Sequence, residues 1–238
     1  MGNERASTGI AGFDRLAAGG FSRGTINLVG GPAGSGKSLF ALHFAYHGAS
    51  DVGEPALYLV LEEPRANVER VMSMFGMDLR PLEDRRVFFL IDLGEIRPGG
   101  KDRKAVVGFD ELQDFLKTTL PKTGAKRLVV DSLSAVGPYY PTPEDFRERM
   151  FSFSRFLRNA KVTTLLVSEA VEGEGLTRYG VEQFLADSFV YLGLEEIKGE
   201  LRRTLTIRKM RFTRHDTAKH PFHIGTAGVD VLADEKVI

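Results

Sequence analysis

No cysteine occurs among the 238 residues. Disulfides, thiolate zinc sites and cysteine nucleophiles are therefore excluded. Net charge is lacking as well, since Lys+Arg and Asp+Glu each total 32. No global field draws the chain to nucleic acid or to an anionic membrane, which leaves room only for a local patch. Long apolar runs are also missing. Val87-Phe88-Phe89-Leu90-Ile91 falls far short of the ~20 residues that span a bilayer. Met1 to Thr8 is mostly polar and lacks an apolar segment, so no signal peptide is expected. A soluble cytoplasmic protein without a membrane role is the default. The 42% apolar share suffices for a sizeable core, in one large α/β domain or two small ones.

What is present centres on Gly31-Pro32-Ala33-Gly34-Ser35-Gly36-Lys37-Ser38. The stretch fits G-x-x-x-x-G-K-[ST], the phosphate-binding loop. Its glycines allow a backbone path that turns N–H groups toward a phosphate. Lys37 would bring positive charge to the β- and γ-phosphates, and Ser38 a hydroxyl to Mg2+. The following helix would direct its positive N-terminal end at the same anion. Gly31, Gly34, Ser35, Gly36, Lys37, Ser38 and Leu39 are the expected nucleotide-binding residues, with ATP as the nucleotide. The alternative is a glycine-rich turn that fits by accident. The flanks argue against it, because Thr25 to Val29 reads as a buried strand and Leu39 to Tyr46 as a helix.

Along the chain, residues 8 to 24 read as a turn-rich lead-in rather than a regular element. Pro55 to Leu61, Val87 to Asp92, Arg127 to Asp131 and Val162 to Val167 read as strands. Phe189 to Leu192 and Thr204 to Phe212 follow, with a turn near Gly199 and a closing hairpin between Phe222 and Leu232. Helical spacing marks residues 66 to 76, the Phe109 to Leu116 stretch and Phe146 to Asn159. Gly94 to Lys104 is charged and poor in apolar residues, and a mobile surface loop is expected. Strands alternating with helices predict an α/β fold, a mostly parallel sheet covered on both faces with an antiparallel far edge. With no repeat or low-complexity linker apparent, a single domain over residues 1–238 is expected.

In such sheets the chemistry gathers at the carboxyl ends of the strands. Asp131 ends an apolar strand and suits the second magnesium motif, whose carboxylate holds the same ion as Ser38 or its water. Glu62 and Glu63 end another strand and are the catalytic candidates, one orienting the attacking water. Successive strand residues face opposite ways, so both are not expected to reach one water. Ser168 and Glu169 end the next strand and could sense a γ-phosphate or be bland strand ends. Ile207, Lys209 and Arg211 share one face of a strand at a two-residue period. Their composition alone favours a solvated, charged edge.

At this point the sequence resembles the KaiC domain, a branch of the RecA-like ATPases. Gly12-Phe13-Asp14 with Gly19-Gly20 is similar to the family's lead-in. Glu62-Glu63 resembles its paired catalytic glutamates, and Val129 to Leu133 its second magnesium motif. Arg178 to Phe184 with Ala186-Asp187 resembles a characteristic stretch. Lys209-Met210-Arg211, Thr213, His215 and Pro221-Phe222 are similar to its C-terminal block. The resemblance implies a RecA-like P-loop core, ATP hydrolysis with Mg2+, and a homohexameric ring with the nucleotide between subunits. Lys209, Met210, Arg211, Thr213 and His215 would then contact the adjacent subunit's nucleotide. Clock members carry two such domains in tandem and an autophosphorylated Ser-Thr pair. Here the corresponding positions are Gln183 and Phe184, without hydroxyls, and Phe212 stands where the family usually has glycine.

Two other functions compete. One is a DNA-binding recombinase-like ATPase. Residues 168 to 182 hold Glu169, Glu172, Glu174 and Glu182 against Arg178 alone, and residues 132 to 146 hold Glu144 and Asp145 without Lys or Arg. Phosphate contacts need basic side chains, so DNA is not expected as a partner. The other is a serine/threonine autokinase or signalling protein with Ser134, Ser152, Ser154 or Thr217 as acceptor. Docking of a protein partner at the acidic loops or at residues 94 to 104 is compatible with ATP hydrolysis.

Overall fold

The computed structural model describes residues 4–96, 108–171, 175–197, 199–226 and 228–237. The elements follow in order. A first short strand, β1 (Arg5–Ala6), leads to α1 (Ala11–Leu16) and β2 (Phe21–Ser22). Then come β3 (Ile26–Gly31), α2 (Lys37–His47), β4 (Ala56–Val60), α3 (Arg65–Met74), α4 (Arg80–Asp84) and β5 (Phe88–Asp92). The short α5 (Leu93–Ile96) precedes α6 (Phe109–Thr123), β6 (Arg127–Asp131), α7 (Pro143–Ala160) and β7 (Thr163–Glu169). The chain closes with α8 (Glu182–Leu185), β8 (Ser188–Ile197), β9 (Glu200–Met210), β10 (Lys219–Gly225) and β11 (Gly228–Val231).

The large sheet has nine strands in the order β11-β10-β9-β8-β3-β7-β6-β4-β5. From β8 to β5 every pairing is parallel, and from β8 to β11 every pairing is antiparallel. The strands between the two helical layers are apolar on both faces, as parallel strands must be. In β3, Leu28 packs toward α6 and α7, while Val29 packs toward α1, α2 and α3. Tyr58 and Val60 in β4 join the second layer, and Leu57 and Leu59 the first. Helix α7 starts at Thr142, whose Oγ1 accepts from the Asp145 amide at 3.1 Å. Its Phe146, Met150, Phe153 and Leu157 are buried, at helical spacing.

Several expectations need correction. The lead-in over 8–24 contains a regular element, α1, and β2 within it pairs with β1. Asp14 organises this segment, accepting from the amides of Thr8 and Gly9 and from the Thr8 hydroxyl. Residues 94–96 belong to α5, and the remainder of the 94–104 stretch lies outside the described residues. Strand β9 ends at Met210, and Phe212 sits in a turn with a left-handed φ of 60°. Its backbone thus keeps a conformation that suits glycine.

The shared face of Ile207, Lys209 and Arg211 is also overturned. The register of β8 against β9 slips between Phe189 and Val190, so Lys209 opposes Phe189 and Ile207 opposes Val190. Arg208 is the extra residue of a β-bulge. Phe189 and Val190 are consecutive and face opposite layers, so Ile207 and Lys209 do as well.

Candidate functional site

The loop between β3 and α2 forms a cradle whose glycines have separate reasons. A side chain at Gly31 would lie 2.1 Å from the Leu192 carbonyl oxygen and 2.8 Å from Ser35 Oγ. Gly36 has φ 99° and faces the Phe222 ring, which a Cβ would approach to 2.9 Å. Lys37 turns back on the loop, donating from Nζ to the Pro32 carbonyl at 2.8 Å. Burial lowers the Lys37 pKa, and Glu169, Asp131 and Glu62 oppose that shift. Ser35 Oγ is buried and has no hydrogen-bond partner. Leu39 and Met210 have side chains in the core, which leaves only their main chain for a ligand.

Strand ends β3, β4, β6 and β7 open on a cleft of about 270 Å³. Lys37, Ser38, Glu62, Glu63, Asp131 and Glu169 all line it. Strand β4 stops at Val60, so pleat alternation no longer separates Glu62 from Glu63. Both residues line the same cleft. Ser132 Oγ donates to Glu62 Oε2 at 2.5 Å and accepts from the Ser134 amide at 3.3 Å. Asp131 accepts from Tyr58 Oη at 2.6 Å. Burial raises the Asp131 pKa, while hydrogen bonds from Tyr58 and Ser38 act to lower it.

The cleft can hold Mg2+ between Ser38 and Asp131 once phosphate oxygens supply further ligands. Mg2+ is ordinarily held by one or two carboxylates plus substrate phosphates. Among the described residues, no cluster of three or more His, Asp or Glu is placed to bind a metal alone. Also among the described residues, no helix is long and apolar enough to cross a membrane.

Ser168 is not part of the cleft wall. It is fully buried and its Oγ donates to Glu182 Oε1 at 3.0 Å. Glu182 itself is interior, so it cannot contribute to an acidic loop surface. Glu172 and Glu174 lie outside the described residues, and Glu169 pairs with Arg178 at 3.5 Å. Two of the proposed phosphate acceptors, Ser134 and Ser154, are buried.

Lys209, Met210, Arg211, Thr213 and His215 are not brought to this cleft. Because β9 runs antiparallel to β8, its Met210 end pairs with Ser188, level with Asn27 near the start of β3. Lys209 Nζ donates to the carbonyls of Gln183 at 3.0 Å and Ala186 at 2.6 Å. Arg211 pairs with Asp187 at 3.4 Å, which also pairs with Arg158 at 3.1 Å. Thr213 Oγ1 accepts from Arg5 at 2.7 Å, and His215 Nδ1 lies 3.1 Å from the Thr213 carbonyl. The exposed rings of Phe184 and Phe212 belong to the same segments.

Three features escaped the sequence. Tyr58 reads as one apolar residue of a buried strand, yet its hydroxyl holds Asp131. Arg203 donates from Nε to the Gly34 carbonyl at 3.1 Å. That proximity follows only from the β8–β9 register. Glu182 is an ordinary surface glutamate by composition, and only its three hydrogen bonds reveal a buried anchor.

Comparison with known proteins identifies the family and the fold. The family model "ATPase: KaiC" matches residues 6–236. A UPF0273 protein of Methanocaldococcus jannaschii is 36% identical, covering 98% of this chain and 98% of that protein. The circadian clock oscillator protein KaiC of Parathermosynechococcus lividus is 34% identical over 97% of this chain. The chain spans only 43% of that longer protein. A crystal structure of a KaiC-like protein from Pyrococcus horikoshii superposes with a TM-score of 0.84 at 36% identity, covering 96% of this chain and 98% of that one. The fold is the RecA-like α/β core, and the chain belongs to the KaiC ATPase family.

Proposed function

We propose that this chain binds ATP with Mg2+ and hydrolyses it, in a homohexameric ring that shares each nucleotide between neighbouring subunits. The observation that carries the reading is convergence. One phosphate loop and four carboxylates, brought from four strand ends, line a single cleft. In this reading the loop amides and Lys37 bind the polyphosphate. Ser38 and Asp131 hold Mg2+, which supplies neutralisation of charge on the phosphates when bound. Glu62 or Glu63 orients the attacking water and takes up its proton. Ser132 holds Glu62 in place at 2.5 Å. The water would be the nucleophile, so no covalent enzyme intermediate is required.

Completion of the site by a neighbour is supported by where the basic segment sits. Lys209 and Arg211 lie at the amino ends of the parallel strands, away from their own cleft. Placed there, they serve another subunit's nucleotide better than their own. Cytoplasmic residence and a possible protein partner go with this reading. Autophosphorylation is not favoured, since Gln183 and Phe184 supply no hydroxyl at the expected acceptor positions, and DNA binding is not, since residues 132 to 146 hold no Lys or Arg.

Phosphate release from ATP is the test, measured with Mg2+, with excess chelator, and for Lys37→Ala and Glu62→Gln/Glu63→Gln. Turnover that requires Mg2+ and falls in both variants is expected. Turnover unchanged in the Glu62→Gln/Glu63→Gln variant would remove the water-orienting role. Failure of the wild-type chain to bind ATP with Mg2+ would remove the whole reading.

A further inference from the structure

We propose that Arg178, poised against Glu169, lets the cleft distinguish a nucleoside triphosphate from a diphosphate by sharing its guanidinium between Glu169 and the terminal phosphate. This rests on the ATP-binding reading above and adds a specificity residue to it. Glu169 closes β7 opposite Gly31, the first residue of the phosphate loop. It lines the cleft, and it leads the carboxylates whose charge acts on Lys37. A negative side chain therefore stands where the loop would direct the far end of a polyphosphate. Unopposed, it would repel that phosphate, and more strongly the longer the chain of phosphates.

Arg178 is the counterweight. Its Nη1 lies 3.5 Å from Glu169 Oε2, and the two side chains are 41% and 37% exposed. Arg178 also hydrogen-bonds the Tyr179 side chain, and one long contact to Glu169 beside it leaves a planar, five-donor group short of its bidentate capacity. Its position is not left to chance. The neighbouring Tyr179 amide and the Val181 amide both donate to the fully buried Glu182, at 3.2 and 3.0 Å. Ser168, next to Glu169, donates to the same carboxylate. Tyr179 Oη donates to the Ser134 carbonyl at 3.3 Å, and its ring packs 4.2 Å from Phe146. Gly137 leaves the room for it, since a Cβ there would lie 1.6 Å from Tyr179 Oη.

The segment carrying Arg178 is thus fastened to the stretch that follows Asp131 and to the strand end that carries Glu169. Such support fixes a guanidinium before the ligand arrives. Hydrogen bonds from Arg178 to a terminal phosphate would offset the repulsion from Glu169. A diphosphate that ends short of Glu169 gains nothing from either residue. The pair therefore acts on the difference between the two nucleotides and leaves their common part alone.

The test measures binding of a non-hydrolysable ATP analogue and of ADP, both with Mg2+, to the full chain. Arg178→Ala is expected to weaken the analogue by roughly tenfold and ADP by less than about twofold, the size of one charge-assisted contact. Arg178→Lys should restore part of the difference, and Glu169→Gln should tighten the analogue relative to ADP. Adding Glu169→Gln to Arg178→Ala should recover most of the loss, because the repulsion is then gone. Equal losses for both nucleotides would overturn the proposal, as would an unchanged ratio in Glu169→Gln. The latter variant keeps the question open to refutation if Arg178→Ala fails to fold. Binding of both nucleotides by wild type with unaltered ratios in every variant would refute this inference alone. Binding of neither by wild type would refute the ATP-binding reading and this inference with it.

Discussion

Tyr58 donates its hydroxyl to Asp131 across 2.6 Å, from the strand next to Asp131 and in the cleft's back wall. Burial pushes the Tyr58 phenol well above its ordinary range, so it stays a donor at every working pH. The contact orients the Asp131 carboxylate and opposes the upward pKa shift that burial causes.

Tyr58→Phe is expected to cost about 1.5–3 kcal/mol of stability, the usual worth of a hydrogen bond to a charged group. It should also raise the Mg2+ concentration for half-maximal nucleotide turnover by ~10-fold, as loss of an outer-shell partner typically does. Loss of Tyr58 raises the Asp131 pKa further, so the acidic limb of the pH–rate profile should move up in pH. A magnesium titration superimposable on wild type would show that Asp131 is not the ion's ligand.

His43 gives a pH dependence of stability. Its Nε2 accepts the Val229 amide at 3.0 Å, and burial together with His47 lowers its pKa from 6.5 to about 4. The folded state therefore resists a proton that the unfolded chain accepts. The stability is fully present above pH 6.5 and is lost as pH falls toward 4. Urea midpoints for wild type should drop across that interval more steeply than those of His43→Gln, whose amide oxygen can still accept from Val229. Parallel curves would mean that His43 does not titrate differently on folding.

Arg127 is fully buried under the lead-in segment. It pairs with Glu54 at 2.7 Å, donates to the Ser7 carbonyl at 2.6 Å and the Phe44 carbonyl at 2.8 Å, and lies 4.8 Å over the Phe44 ring. Gly48 provides the space, since a Cβ there would meet the guanidinium chain at 2.3 Å. Removing one member of a buried pair costs about 3–5 kcal/mol. Arg23 also contacts Glu54, so Arg127→Ala is expected near the lower figure. Glu54→Leu/Arg127→Met should recover most of it, because packed apolar residues replace buried pairs well. Equal midpoints for the single and double variants in urea would refute the pairing argument.

The parts of this fold that could be read from the sequence are those dictated locally. Leu57 to Val60 and Leu128 to Val130 are continuous apolar runs because both faces of a parallel sheet are covered. The glycine spacing of 31 to 36 is set by the chain's own path, and the phosphate loop follows from it. What could not be read depends on register. The bulge at Arg208 moved Ile207 and Lys209 to opposite faces, and no local pattern announces an extra residue. The early stop of β4 brought Glu62 and Glu63 together for the same reason. Arg203 reaches Gly34 only because β8 and β9 are long enough to carry it beside the loop. Glu182 is charged, and only the amides around it make its burial tolerable.

The position of Arg211 supplies the last test. It lies beyond the Met210 end of β9, whereas Arg203 on the same strand touches the phosphate loop. Seven steps of strand separate Arg203 from Met210, roughly 23 Å at the usual rise, and Arg211 follows. Arg211 therefore cannot serve the cleft of its own chain, and any nucleotide it meets belongs to a neighbour. Under the shared-site proposal, Arg211→Ala should reduce turnover by on the order of 10³, the lower range for a finger supplied in trans. Lys37→Ala should abolish turnover through its own loop while leaving its Arg211 intact. When the two variants are mixed and allowed to assemble, some sites join an intact loop to an intact Arg211. Turnover of the mixture should then exceed the sum of the separate variants, with nucleotide-dependent assembly followed by native mass. A mixture no more active than its parts would refute the sharing of the site, whatever the mass of the assembly.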